Sequence, residues 1–161
     1  MMIDALPVFR KKNIVVIIET PKGCHNKYAY DPELKMITFK KVLTEGHFFP
    51  FDFGFIPHTK AEDGDPLDVI VLIDTPTFSG CVIECRVIGA LIAKQSKKGK
   101  KVRNDRIIAV PAEYEPYKKI KSLRDINDMS LHQIEQGFIS YCQMEGVKLV
   151  PLEKIVPGKA I

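Results

Sequence analysis

Residues 63–73 read Asp-Gly-Asp-Pro-Leu-Asp-Val-Ile-Val-Leu-Ile, a turn with three carboxylates in six residues that opens directly into an apolar run. Gly64 permits a sharp turn and Pro66 stiffens it. The run from Leu67 to Ile73, broken only by Asp68, predicts a buried strand. Asp63, Asp65 and Asp68 are therefore held on a loop anchored to a rigid element. Clustered carboxylates raise at least one of their own pKa values unless a cation stands among them. A divalent metal removes that cost, and hard oxygen donors select magnesium, manganese or calcium over zinc. The other reading is an acidic surface turn of the common Asp-Gly kind. The spacing does not fit the calcium-binding helix–loop–helix motif, which needs a further glutamate and flanking helices.

Outward from this stretch the chain is a series of short strands. Ile14 to Ile18 is a β-branched run bounded by Asn13 and by Thr20-Pro21. Lys27 to Tyr30 reads as a second strand. Lys35 to Lys41 alternates, with Ile37 and Phe39 on one face, and predicts a half-buried strand. Val82 to Ala93 is longer, with Glu84 and Arg86 outward and Ile83, Cys85 and Val87 inward. Ile107 to Val110 is the last apolar run before Pro111. At least five strands joined by turns before residue 111 predict a barrel rather than βαβ units. Phe48 to Ile56, FFPFDFGFI, holds five of the nine phenylalanines. An extended chain places Phe49, Phe51, Phe53 and Phe55 on one side and Asp52 with Gly54 on the other. Pro50 and Pro57 argue against a central strand throughout. The segment is a core wall, a rigid floor under a pocket, or both. Residues 1–13 read as a poorly tied arm or a first surface segment.

The period changes in the last third. From Ser130, apolar residues fall at Leu131, Ile134, Phe138 and Tyr141 or Cys142, which is helical spacing. Ser130 with Gln133 reads as a capping box, Asp128 adds favourable charge at that end, and Gly146 is a natural stop. A turn or two of helix is expected around Glu113 to Ile120. The fold class is mainly β with helices: a small barrel with one long helix packed across it, in one domain spanning 1–161.

With 161 residues, 45% hydrophobic and 27% charged, the composition excludes disorder and collagen-like repeats. The longest strand-like apolar runs fall far short of the roughly 20 residues of a membrane span. With no signal-peptide pattern visible, the expected location is cytoplasmic. The net charge of +4 is local: residues 94–106 alone carry seven basic residues and one acid, so the remainder sums to −2. Such a run is more often a solvated hairpin tip than a nucleic-acid contact. Cys24, Cys81, Cys85 and Cys142 lack zinc spacing, and Cys85 reads as a buried reduced thiol.

Other residues add to the carboxylates. Glu19 ends a buried strand, where a carboxylate has no packing reason to be. Lys27 and Lys41 lie in or beside short strands, and Arg106 precedes one. Barrel closure that gathers them supplies acids for metals and cations for phosphoryl oxygens, the electrostatic recipe for phosphoryl transfer to water.

Asp63–Val69, DGDPLDV, resembles the signature of the soluble family I inorganic pyrophosphatases. IIETP around Glu19, NKYAYD from Asn26, FPFDFGFIPHT, IIAVP from Ile107 and IKSLRDINDM resemble that family too, in the same order. The resemblance implies an OB-like five-stranded closed barrel and magnesium-dependent hydrolysis of inorganic pyrophosphate to two phosphates, with manganese as a possible substitute. It implies a cytoplasmic homo-hexamer whose partners are pyrophosphate and phosphate, with no nucleic acid and no membrane. It implies that Asp63 and Asp68 are metal ligands, Asp68 bridging two ions, and that Glu19 holds a further ion through water. Asp65 takes the role of general base, and Lys27 and Tyr141 contact phosphate oxygens. Lys41 stands where the family has an arginine, and Arg106 where it has a lysine. Asn104 falls at the third carboxylate position with Asp105 beside it, so either is a candidate ligand; Asp105 serves if the strand enters one residue out of register. Ala29, Phe49, Phe53 and Cys142 also depart from the pattern. Two other readings compete: a catalytically weak paralogue that binds pyrophosphate or another phosphorylated metabolite, and a barrel that binds nucleic acid through Lys94–Arg106.

Overall fold

Runs of consecutive apolar, largely β-branched residues carry the architecture, because the strands at Asn13–Thr20, Asp68–Val71 and Arg106–Pro111 bury both faces. The computed structural model describes residues 3–97, 99–147 and 153–155. Its strands, in chain order, are β1 (Phe9–Arg10), β2 (Asn13–Thr20), β3 (Asn26–Asp31), β4 (Met36–Val42), β5 (Asp52–Phe55) and β6 (Asp68–Val71), then β7 (Val82–Ile92), β8 (Lys94–Lys97), β9 (Lys100–Arg103), β10 (Arg106–Pro111) and β11 (Glu153–Ile155). The one α-helix of the described residues, α1, runs Asp128–Met144. The sheet order β2-β5-β6-β10-β7 closes when β7 pairs back onto β2, giving a five-stranded barrel. The neighbours are antiparallel except β6 with β10. Closure removes the exposed edges these apolar strands would otherwise present.

The period of two divides the core. Ile14, Val16, Ile18, Val69, Val71, Cys85, Ala90, Ile107 and Ala109 form one cluster, contributed by four of the five barrel strands and therefore the barrel's interior. Ile70, Ile108 and Val110, on the opposite strand faces, pack outward against Ile134, Phe138, Tyr141 and Cys142 of α1. Glycine is required twice here. A Cβ on Gly54 would lie 2.3 Å from the Ile17 carbonyl oxygen, and one on Gly137 would lie 2.9 Å from the Phe51 ring. The first lets β5 lie against β2, and the second lets α1 settle onto the aromatic segment.

Several expectations change. The helix starts three residues early: Asn127, not Ser130, is the N-cap, its side chain accepting from the Ser130 N–H at 2.8 Å. The capping box of this region lies upstream, between Ser122 and Asp125 of a 3-10 turn at Leu123–Asp125. The expected short helix near Glu113 to Ile120 reduces to a 3-10 turn at Glu115–Tyr117. The N-terminal arm is tied down by Ile3, buried with Ile17 and Phe55. β3 and β4 form a separate two-stranded sheet, so Phe39 has no barrel to pack on and is 56% exposed. β5 is a central barrel strand between the two prolines. Its Asp52 is fully buried, accepting from Lys22 N–H at 2.7 Å and from Thr77 N–H and Oγ1 at 3.0 and 2.6 Å.

The lysine-rich segment is a hairpin, β8 with β9, and its described lysines 94, 100 and 101 are exposed. Cys85 is buried, and that burial pushes its thiol pKa up. Among the described residues no helix is long and apolar enough to cross a membrane.

Candidate active site

The parallel seam between β6 and β10 sets the centre of the site. Its register places Asp68, the first residue of β6, opposite Arg106, the first of β10. Their side chains pair at 2.8 Å. Burial is the main force raising the Asp68 carboxyl above the usual range; the Arg106 charge opposes it, and Asp63 and Asp65 add to it. Arg106 is itself buried, also donates to Asn104 Oδ1, and keeps its Nε without a partner among the described residues.

The acidic loop is braced from both sides. Asp63 Oδ1 accepts from the Asp65 N–H at 3.1 Å, and Gly64 turns with φ of 91°. Thr59 Oγ1 donates to the Ile56 carbonyl at 2.6 Å and accepts from the Leu67 N–H at 2.9 Å. These bonds fix the loop's entry and exit while Asp63 and Asp65 stay exposed.

Glu19 reaches the site through a bulge. The β2–β5 register slips between Ile18 and Thr20, leaving Glu19 out of the ladder, a device that re-aims a side chain. Its carboxylate accepts from the Tyr30 N–H at 2.7 Å. Burial pushes its pKa up to about 7, against that hydrogen bond, with the Asp68 charge adding to the rise.

Facing these acids are cations and an aromatic floor. Lys27 and Lys41 are cross-strand partners in β3 and β4, and both bind Glu145 at the end of α1, each at 3.1 Å. The Tyr141 ring lies 4.7 Å from that of Phe53 and 5.3 Å from that of Phe49, centroid to centroid. Burial raises the Tyr141 phenol pKa, so it stays a hydrogen-bond donor at neutral pH.

A cavity of about 480 Å³ brings together Glu19, Lys27, Asp63, Asp65, Asp68, Asn104, Arg106, Tyr141 and Glu145. Ala29, Phe49, Phe53 and Cys142 line it as well. Lys41 is not in its wall and meets it only through Glu145. Asp105 turns away: its Oδ2 is bound by Arg103 at 2.7 Å, and Asn104 takes the place in the wall. Among the described residues no three acidic, histidine or cysteine side chains converge tightly enough to cage one ion. A second cavity, about 550 Å³ and slightly larger, lies between Phe51, Asp74 and the start of α1; Lys22, Asp74 and Asp125 line it, but none of the acids and cations of the first cavity does. Sequence reasoning missed Glu145, Thr59 and the Asp52 anchor; an acid beside a helix-ending glycine was the only visible trace of the first.

A closed five-stranded barrel with carboxylates, two cations and a phenol around one cavity defines a small-barrel protein equipped for anions together with metal cations. The family description that matches it, inorganic pyrophosphatase, covers residues 16–159. The inorganic pyrophosphatase of Thermus thermophilus is 40% identical over 148 residues, 91% of this chain and 82% of that protein. The one from Synechocystis is 39% identical over 146 residues, 90% and 84% of the two chains. The crystal structure of inorganic pyrophosphatase from Thermus thermophilus superposes with a TM-score of 0.83 at 35% identity, covering 96% of this chain and 91% of that one. That of Helicobacter pylori gives 0.83 at 26% identity, covering 97% and 92%. This chain belongs to the inorganic pyrophosphatase family.

Proposed function

We propose that this protein hydrolyses inorganic pyrophosphate to two phosphates, using magnesium, with manganese as a substitute. The supporting observation is that one cavity holds Asp63, Asp65, Asp68 and Glu19 against Lys27, Arg106 and Tyr141. The donor chemistry fits a hard divalent cation. All four acids offer carboxylate oxygens, and the two less exposed, Glu19 and Asp68, are held above their usual pKa by burial. An open arrangement rather than a cage suits magnesium, which keeps several waters.

Asp63 and Asp68 would hold the metal, Glu19 would support a further ion through water, and Asn104 would offer a neutral amide oxygen where a carboxylate would bind more strongly. A bound divalent cation neutralises phosphate charge and lowers the pKa of water. Asp65, exposed on the loop, accepts the proton of the attacking water. Lys27, Arg106 and the Tyr141 hydroxyl bind phosphate oxygens and stabilise charge as the bridge bond breaks. Lys41 reaches the same oxygens from the hairpin once freed from Glu145, and Asp105 stays engaged with Arg103. The protein acts in the cytoplasm as a homo-hexamer by this reading.

Phosphate release from pyrophosphate with magnesium, stopped by EDTA, is the expected result. Saturable pyrophosphate binding without release, with either magnesium or manganese, supports the weak-paralogue reading instead. The neutral Asn104 is the observation in its favour.

A further inference from the structure

Lys27 and Lys41 face each other across the β3–β4 hairpin, beside the point where its register shifts. Like charges held opposite one another on a hairpin repel, so the arrangement needs an anion between them. In this chain that anion is built in. Glu145 places one oxygen, Oε2, 3.1 Å from Lys27 Nζ and 3.1 Å from Lys41 Nζ. Its side chain is only 14% exposed, and its other oxygen, Oε1, is buried without a partner among the described residues. Glu145 lines the same cavity as the acidic loop. It also sits at the C-terminal end of α1, where the helix dipole disfavours negative charge, and the last turn holds no basic residue. The two lysines are what hold this carboxylate in place.

We propose that Glu145 is a resident anion that competes with phosphate for Lys27 and Lys41, limiting how tightly the site holds phosphate and easing product release. The inference rests on the reading that these lysines take phosphate oxygens. An arriving phosphate exchanges two charge-assisted hydrogen bonds for two of the same kind, with no covalent change. Glu145 is tethered to the helix end, so it recaptures the lysines at high effective concentration when phosphate leaves. The phosphate affinity of the site is lowered by the contacts Glu145 gives up.

The test is calorimetric titration of inorganic phosphate, in magnesium buffer, into wild type and Glu145→Gln, with thermal melts beside it. The amide keeps the side chain's shape and removes its charge. Glu145→Gln is expected to bind phosphate roughly tenfold more tightly, the scale of one charge-assisted hydrogen bond no longer contested. Glu145→Ala, the second variant should the amide disturb packing, shifts the same way. Weaker or unchanged phosphate binding in both variants overturns the proposal and makes Glu145 a residue that positions the lysines. Absence of phosphate binding in all three proteins overturns it as well. Tighter binding in the variants without pyrophosphate hydrolysis by any of them upholds this inference while sinking the hydrolase reading.

Discussion

Arg106 and Asp68 are Cα partners across the single parallel seam of the barrel, and their side chains meet at 2.8 Å. The pair joins a guanidinium that is almost fully buried to a carboxylate about a third open, with side-chain exposures of 7% and 30%. Breaking a fully buried pair costs roughly 3–5 kcal/mol because the survivor is left charged and unpaired. Water reaches Asp68, so Asp68→Asn is expected to cost less, about 2 kcal/mol, in metal-free denaturant unfolding. Asp63→Asn, on the exposed part of the loop, is expected within about 0.5 kcal/mol of wild type.

Asn104 lines the cavity and accepts from Arg106. Replacing it with aspartate adds a negative charge where the family resemblance places a carboxylate. Asn104→Asp is expected to bind magnesium more tightly, roughly tenfold or about 1.4 kcal/mol, in calorimetric titration. Unchanged magnesium affinity would remove Asn104 from the ligand set.

Gly54 lets β5 approach β2. An alanine methyl there would meet the Ile17 carbonyl oxygen at 2.3 Å and Val16 Cγ1 at 3.0 Å. Neither neighbour yields easily, because one is backbone and the other is barrel core. Gly54→Ala is expected to destabilise by about 3 kcal/mol, measured by denaturant midpoint.

Asp74 links the end of the β6 segment to the turn after β10. Hydrogen bonds from the Tyr117 hydroxyl at 2.8 Å and the Tyr114 hydroxyl at 2.9 Å hold its carboxyl below the usual range. A depressed carboxyl stabilises the fold above its unfolded pKa, and that contribution is lost as pH falls through the folded value. Asp74→Asn is therefore expected to melt below wild type at neutral pH. The gap should close under acid conditions below the ordinary carboxylate pKa of 3.8. A gap independent of pH would contradict this.

Local patterns in the chain announced the barrel well. The Ile14–Ile18 and Leu67–Ile73 runs, the long Val82–Ala93 strand and Ile107–Val110 all became barrel strands, with boundaries within a few residues. The helix start was misplaced because two polar residues competed. Ser130 with Gln133 has capping-box spacing, but Asn127 stands earlier and satisfies the Ser130 N–H. What the local pattern did not contain was long-range pairing. Glu19 stood out as a misplaced acid, yet the bulge that aims it depends on β5. The choice between Asn104 and Asp105 depended on where Arg103 and Arg106 point. Glu145 gained meaning only once hairpin register put Lys27 opposite Lys41. Asp52 was placed only on the side opposite the phenylalanine rings, and the Lys22 and Thr77 backbones that donate to it come from segments distant in the chain.

The proposed hydrolysis turns on Asp65 taking the proton from the water that splits pyrophosphate. Asp65 is exposed, and its backbone N–H is held by Asp63, so Asp65→Asn removes the base while leaving the loop intact. Phosphate release from pyrophosphate, with saturating magnesium at pH 7.5 or thereabouts, should be compared for wild type and this variant. General-base catalysis contributes roughly 100- to 10,000-fold, so kcat should fall by at least about 100-fold with an unchanged melting temperature. A variant that keeps wild-type kcat would contradict the account.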